Sequence, residues 1–149
     1  MSDTLWIKGL PYPPSENAIY SDRVFRNKAG HLVASRFLNS LGTKYKSSVS
    51  AILNQTGVTT PLREFIELHD TVDIMVYLGR PNWYTVKGTV SQTAGDTPSP
   101  IKILQDIIFE TIGINDAHAF FTGSRKVYAK EPSIIVVFSK PPESEDYFG

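Results

Sequence analysis

Five consecutive apolar residues, Ile134 to Phe138, stand between Ser133 and Ser139 near the end of the chain. A run this short and this rich in β-branched side chains predicts a strand, and a strand apolar at every position must be covered on both faces. Other strands and helices therefore have to be found elsewhere in the chain. Residues 5–10 predict a first strand, stopped by Pro11, Pro13 and Pro14, which cannot donate to a ladder. In residues 66–78, Ile66, Leu68, Val72, Ile74, Val76 and Leu78 alternate with Glu67, His69, Thr71, Asp73 and Tyr77. That alternation predicts a strand with one buried and one open face. His69 then falls on the open face as an ordinary surface residue, and Asp70 marks a bulge or an exposed end. Residues 117–128 and 133–139 predict two further strands joined near Lys130, Glu131 and Pro132.

Two stretches carry helical spacing. Across residues 34–55, Phe37, Leu38, Leu41, Tyr45, Val49, Ile52 and Leu53 recur every three or four positions, with a weak point at Gly42 and a stop at Gly57. Ile101, Leu104, Ile108 and Ile112 do the same in a second helix, which Thr97 or Ser99 caps, Pro98 and Pro100 open, and Gly113 ends. The pattern predicts an α/β (α+β) fold, one domain over residues 1–140, with a mixed sheet of about four strands against two main helices. At 149 residues the chain is long enough for one proper core and too short for two. Residues 141–149 form an acidic tail, expected to be disordered; its Glu143, Glu145 and Asp146 beside Tyr147 and Phe148 suit a protein partner.

The absence of cysteine removes disulfides, thiolate metal sites and cysteine nucleophiles. No stretch of eighteen apolar residues and no signal-peptide pattern occurs, so no membrane association and a cytoplasmic location are expected. No phosphate-binding or dinucleotide-binding glycine motif and no nucleophile elbow is present. Formal net charge is zero, yet Arg23, Arg26, Lys28, Arg36, Lys44 and Lys46 crowd one early region and Arg125, Lys126 and Lys130 a late one. Tyr12 and Tyr20 precede Arg23, Phe25, Arg26 and Lys28 in what reads as a loop. Rings that stack on bases beside cations that neutralise phosphates suit nucleic acid, and a polar loop with its rings tucked onto the core is the alternative. Residues 79–95 have no period; they read either as a mobile loop at the edge of a site or as a short hairpin packing Trp83 on the sheet.

The stretch Gly95 to His118, GDTPSPIKILQDIIFETIGINDAH, holds the candidate chemistry. Asp96 precedes the helix and Asp116 the next strand, and two carboxylates meeting at a cleft suit a hard cation such as Mg2+. Aspartates also stand near helix ends for the dipole alone. Lys102 and Asp106 lie one turn apart. His118, two positions after Asp116, falls on the same side of a strand, near any metal or as a plain surface or core histidine.

This stretch resembles the signature of the RusA-like Holliday junction resolvases, an acid, a spacer, a second acid, Asn, two residues and Lys, followed by a helix aspartate and a pair of acids. Asp96 falls on the first acid, Lys102 on the lysine, Asp106 on the helix aspartate and Asp116 on the last acid. GLPYPPSENAIY, from Gly9 to Tyr20, is similar to the family's first strand and its Pro-Pro-Ser-x-Asn-x-x-Tyr loop, and SRKVYAKEPSIIVVFS, from Ser124 to Ser139, resembles its basic hairpin and last strand. The resemblance implies a homodimer that holds a four-way DNA junction and cuts it in recombination and repair with Mg2+, or Mn2+, in a bacterial, phage or prophage-like setting. It implies Asp96 and Asp116 as metal ligands, Lys102 as the group that stabilises charge or orients the nucleophile, and Asp106 as its support. Tyr12, Arg23, Arg26, Lys28, Arg125 and Lys126 are the expected DNA contacts. Pro98 stands where the family has its second acid and Ser99 where it has Asn. Two readings follow: an endonuclease that works without that acid, or a fold that binds DNA or a protein without cutting.

Overall fold

In chain order, a computed structural model that describes residues 3–92 and 99–143 gives β1 (Thr4–Leu10), a single helical turn α1 (Glu16–Ile19), β2 (Tyr20–Arg26), β3 (Leu32–Leu38), α2 (Ser40–Gln55), α3 (Thr59–His69), β4 (Val72–Arg80), α4 (Ser99–Ile112), β5 (Ala119–Tyr128) and β6 (Ser133–Ser139). Two 3-10 turns, Pro81–Trp83 and Asp116–His118, follow β4 and precede β5. The main sheet runs β1-β6-β4-β5, and β2 and β3 form a separate two-stranded sheet. Only β4 and β5 are parallel. They are joined by the crossover that contains α4, as a parallel pair requires.

The apolar run of β6 is an inner strand, between β1 and β4, fully buried on one face and half-buried at Ile135 on the other. Ile134, Val136 and Phe138 are fully buried and lie level with Leu78, Val76 and Ile74 of β4 on the helix side. Their partners across the interface are Ile103, Leu104, Ile107, Ile108, Phe109 and Ile112 of α4, beneath Tyr45, Val49 and Leu53 of α2 and Leu62, Phe65 and Ile66 of α3. The other side of the sheet carries Trp6, stacked on Tyr77 with ring centroids 6.2 Å apart, and Phe121. Trp6 and Phe121 are about half exposed, at 50% and 53%.

Asp73 belongs to that second side, and burial pushes its carboxyl above the ordinary aspartate value. A raised carboxyl holds its proton more tightly in the folded chain. The resulting stability is complete below the unfolded pKa and is lost as pH rises through the folded one. Asp73→Asn is therefore expected to melt above the parent at neutral pH and to lose that margin near pH ~3, where both are uncharged; paired thermal melts measure it.

Several local expectations change. Residues 66–69 are helical, not strand: Leu62, Phe65 and Ile66 form the buried stripe of α3, while Leu68 is exposed. Of the two readings of Asp70, the exposed end holds and the bulge does not: it closes that helix with φ 63°. His69 is not an open-face strand residue; its ring lies edge-on to Phe65 at 4.5 Å, half-buried. A third long helix, α3, thus joins the two expected.

Residues 34–38 are also strand, and the helix begins only at Ser40, because Asn39 caps it by accepting from the Gly42 N–H. The Asn39 amide also donates to the Ala18 carbonyl and the Ser21 hydroxyl. Gly42 is a close approach rather than a weak point. A Cβ there would stand 2.7 Å from the Ile19 carbonyl oxygen and 2.8 Å from Leu38 Cδ2. The second helix ends as expected at Gly113, φ 72°, and Arg63 of α3 donates to the last carbonyl, that of Ile112.

Candidate functional site

Lys102, Asp106 and Glu110 follow one another at four-residue steps along α4, on the side away from its buried stripe. That spacing makes them neighbours on the helix surface. Glu110 accepts from Lys46 Nζ of α2 at 2.7 Å. Asp106 has its carboxyl pushed above the ordinary value, first by burial and then by the negative charges of Asp116 and Glu110, with Lys102 opposing. Lys102 is thus not the one charge that acts on Asp106: Asp116, across the turn that follows α4, acts on it too. A partly desolvated carboxyl with two acidic neighbours and one lysine is a place where a divalent cation offsets repulsion.

Asp116 does not start a strand. It begins the 3-10 turn Asp116–His118, capped by Asn115, whose side chain accepts from the Ala117 N–H at 2.8 Å. His118 thus does not share a strand side with Asp116. Its Nδ1 meets the Asp70 backbone carbonyl, and the Asp70 carboxylate lies 3.7 Å away, so the ring ties β5 to the end of α3. Asp96, with the expected cap at Thr97 and Pro98, lies outside the described residues, as does most of the acidic tail, 144–149. Among the described residues no three acids or histidines gather closely enough to hold a metal ion.

Gln105 accepts from the Thr122 hydroxyl at 3.0 Å, which sets the middle of α4 against the first half of β5. Because α4 leads into the start of β5, its Ser99 end points toward the Lys126 end of that strand. A cluster of cations and rings stands there. The guanidinium of Arg80 lies 5.2 Å from the ring centre of Tyr12 and 4.9 Å from that of Trp83, and Lys126 Nζ lies 4.6 Å from Trp83. Trp83 is buried, and its indole N–H donates to the Leu78 carbonyl at 2.7 Å. Burial raises the Tyr12 phenol, and the hydrogen bond and charge of Arg80 work against it. Beyond Trp83 a small hairpin closes through the Tyr84↔Val90 bridge. Of the two readings of this loop, Trp83 packed on the sheet describes residues 79–92. Arg80 and Trp83 were missed as site residues; the signal was Arg-Pro-Asn-Trp directly after a strand, a cation and a ring held close by a turn.

The other expected DNA contacts separate into two places. Arg125 and Lys126 do not act as a pair, because successive strand residues face opposite ways. Lys126 turns to Trp83, while Arg125, level with Tyr77, is exposed on the side with Trp6. Arg23, Arg26 and Lys28 belong to a β-hairpin rather than a loop. Arg23 stacks over Phe25 and Phe37, and Arg26 donates to the Gly30 carbonyl across the turn.

Among the described residues no helix is long and apolar enough to cross a membrane. The sequence matches no protein-family model, and no curated protein matches it either.

Proposed function

We propose that this chain is a Mg2+-dependent endonuclease that resolves four-way or other branched DNA in recombination and repair, working as a homodimer in a bacterial or phage setting. The observation that carries the reading is the acid pair. The negative charge of Asp116 reaches Asp106 and adds to the burial that raises its carboxyl. Lys102 is one turn along, on a helix that begins three positions after Asp96. Asp96 and Asp116 would hold the cation, with Asp106 beside them, and Mn2+ would serve as well. One or two carboxylates are enough for Mg2+, which keeps several waters and takes substrate phosphate oxygens. A bound cation would activate water and neutralise charge on the phosphate and the leaving 3' oxygen. Lys102 would face that same charge. Arg80, Lys126 and Tyr12 would meet the DNA backbone at the Ser99 end of α4. The half-exposed Trp6 and Phe121, on the sheet side that faces no helix core, support self-association.

The test is a labelled synthetic four-way junction incubated with the protein, with and without Mg2+ or Mn2+, beside Asp96→Asn. Paired nicks that need metal and vanish in the variant are expected. A second reading, a non-cutting protein that holds branched DNA or a protein partner, draws on one observation: among the described residues no three acids or histidines gather closely enough to hold a metal ion, and Pro98 stands where the resemblance puts a second acid. Binding of the junction without nicks under either metal would select it.

A further inference from the structure

The two-stranded sheet β2-β3 is the least explained part of the chain. It pairs with no strand of the main sheet. A lone hairpin is marginal in water, and here nearly all of β2 and most of β3 are exposed or half-exposed on both faces. Its base is anchored: Asn39 N–H donates to the Ile19 carbonyl, and Tyr20 and Leu38 pack against the core. From that base the two strands, seven residues each, extend ~23 Å.

Its charge is lopsided. Residues 20–38 hold four cations, Arg23, Arg26, Lys28 and Arg36, against one acid, Asp22. Because the whole chain is neutral, this hairpin of net charge plus three leaves the remainder at minus three. The register distributes the cations. Arg23 lies opposite Ser35, on the face shared with Phe25 and Phe37; Arg36 lies opposite Asp22 and Arg26 opposite Leu32, on the other face with Tyr20. The two arginines nearer the base lie against rings, Arg23 over Phe25 and Arg36 over Tyr20 at 4.6 Å. Such contacts hold long side chains in extended poses and lower the entropy lost when they meet an anion.

A surface that lies on a membrane segregates its apolar and cationic sides. This one carries cations on both. A ribbon with cations on both faces fits between two parallel walls of phosphate, and a DNA major groove admits a two-stranded ribbon with a phosphate backbone on either side. We infer that β2-β3 enters a groove of the DNA arm flanking the branch point, with Arg23 on one backbone, Arg26 and Arg36 on the other, and Lys28 leading at the turn. The inference rests on the proposed branched-DNA function and names the surface that grips the substrate away from the acids.

The test is binding of the full chain to a fluorescent four-way junction and to a linear duplex, without divalent metal, across a salt series. Each lost phosphate contact lowers the slope of log affinity against log salt by ~0.9. Arg23→Gln with Arg36→Gln is therefore expected to lower it by ~2 on either DNA. Lys28→Gln lies in the exposed turn, where the fold does not depend on it, and is expected to lower it by ~0.9. Circular dichroism of each variant reports the fold. Junction binding with an unchanged slope in all variants overturns the groove assignment and leaves the proposed function standing. A parent chain that binds neither DNA overturns both. Variants that keep their DNA slope but release phosphatidylserine vesicles overturn it in favour of a membrane surface.

Discussion

Phe138→Ala is expected to lower the unfolding free energy by ~3–5 kcal/mol, the range for truncating a buried aromatic ring. Phe138 is fully buried in the central strand β6, flanked by Leu5 of β1 and Ile74 of β4. Its ring meets Phe109 of α4 edge-on, with centroids 6.4 Å apart. It therefore joins three strands and the helix that carries Lys102 and Asp106. Neighbours from three other elements cannot all move in to fill the space, so the cavity term adds to the lost transfer energy. Urea unfolding of the variant beside Ile135→Ala measures the difference. Ile135 lies on the other side of the same strand and is half-buried, so its truncation is expected to cost clearly less. Equal losses from the two variants would mean that the helix side of the sheet is not the main core.

Asp116→Asn is expected to slow metal-dependent nicking of a four-way junction by at least ~100-fold, equivalent to ~3 kcal/mol of transition-state stabilisation. The substitution keeps the size of the side chain and removes the charge that reaches Asp106. The turn should survive, because Asn115 rather than Asp116 caps it. Single-turnover nicking, with junction affinity measured separately without metal, distinguishes the loss of chemistry from the loss of binding. Junction affinity is expected to hold or rise, since an acid near the DNA backbone repels phosphate. Nicking at the parent rate would remove Asp116 from the site and shift attention to the cations of Arg80 and Lys126.

Much of the fold was legible along the chain because local patterns and tertiary demands agreed. Residues 134–138 read as a strand covered on both faces; β6 is an inner strand of the sheet, yet only its helix side is fully buried, with Ile135 on the other side half-buried. Ile101, Leu104, Ile108 and Ile112 read as one helical stripe ending at Gly113, and α4 ends there. Two of the differences share one cause, a short apolar run that satisfies two periods at once. Ile66 and Leu68 fit the alternation of the strand that follows, yet Ile66 also completes the helical set with Leu62 and Phe65, and burial follows the helix. Phe37 and Leu38 likewise fit the period of α2, but they precede Asn39, whose side chain starts that helix.

The site shows the same division. Spacing and resemblance single out the candidate residues: Lys102 one turn before Asp106, acids on either side of the helix in the chain, cations beside rings. Which of them meet was not. Arg125 and Lys126 are neighbours in the chain and lie on opposite sides of β5, while Asp106 and Asp116 are ten positions apart and share a field. Strand alternation puts His118 on the same side as Asp116, near any metal or as a plain histidine; a capped turn instead sets it against Asp70.

Sequence by itself determined the elements whose signals are local: the apolar run of β6, the stripe of α4, the glycine stop at Gly113, and the absence of any cysteine chemistry. Tertiary structure alone decided where residues 34–38 and 66–69 belong, that β2 and β3 stand apart as a cationic ribbon, and that Arg80 and Lys126 converge on Trp83. The physical reason is range. Capping, backbone conformation and side-chain periodicity act within a turn or two of the chain, whereas burial and charge depend on which distant segments are packed together, and only the folded chain brings those segments into contact.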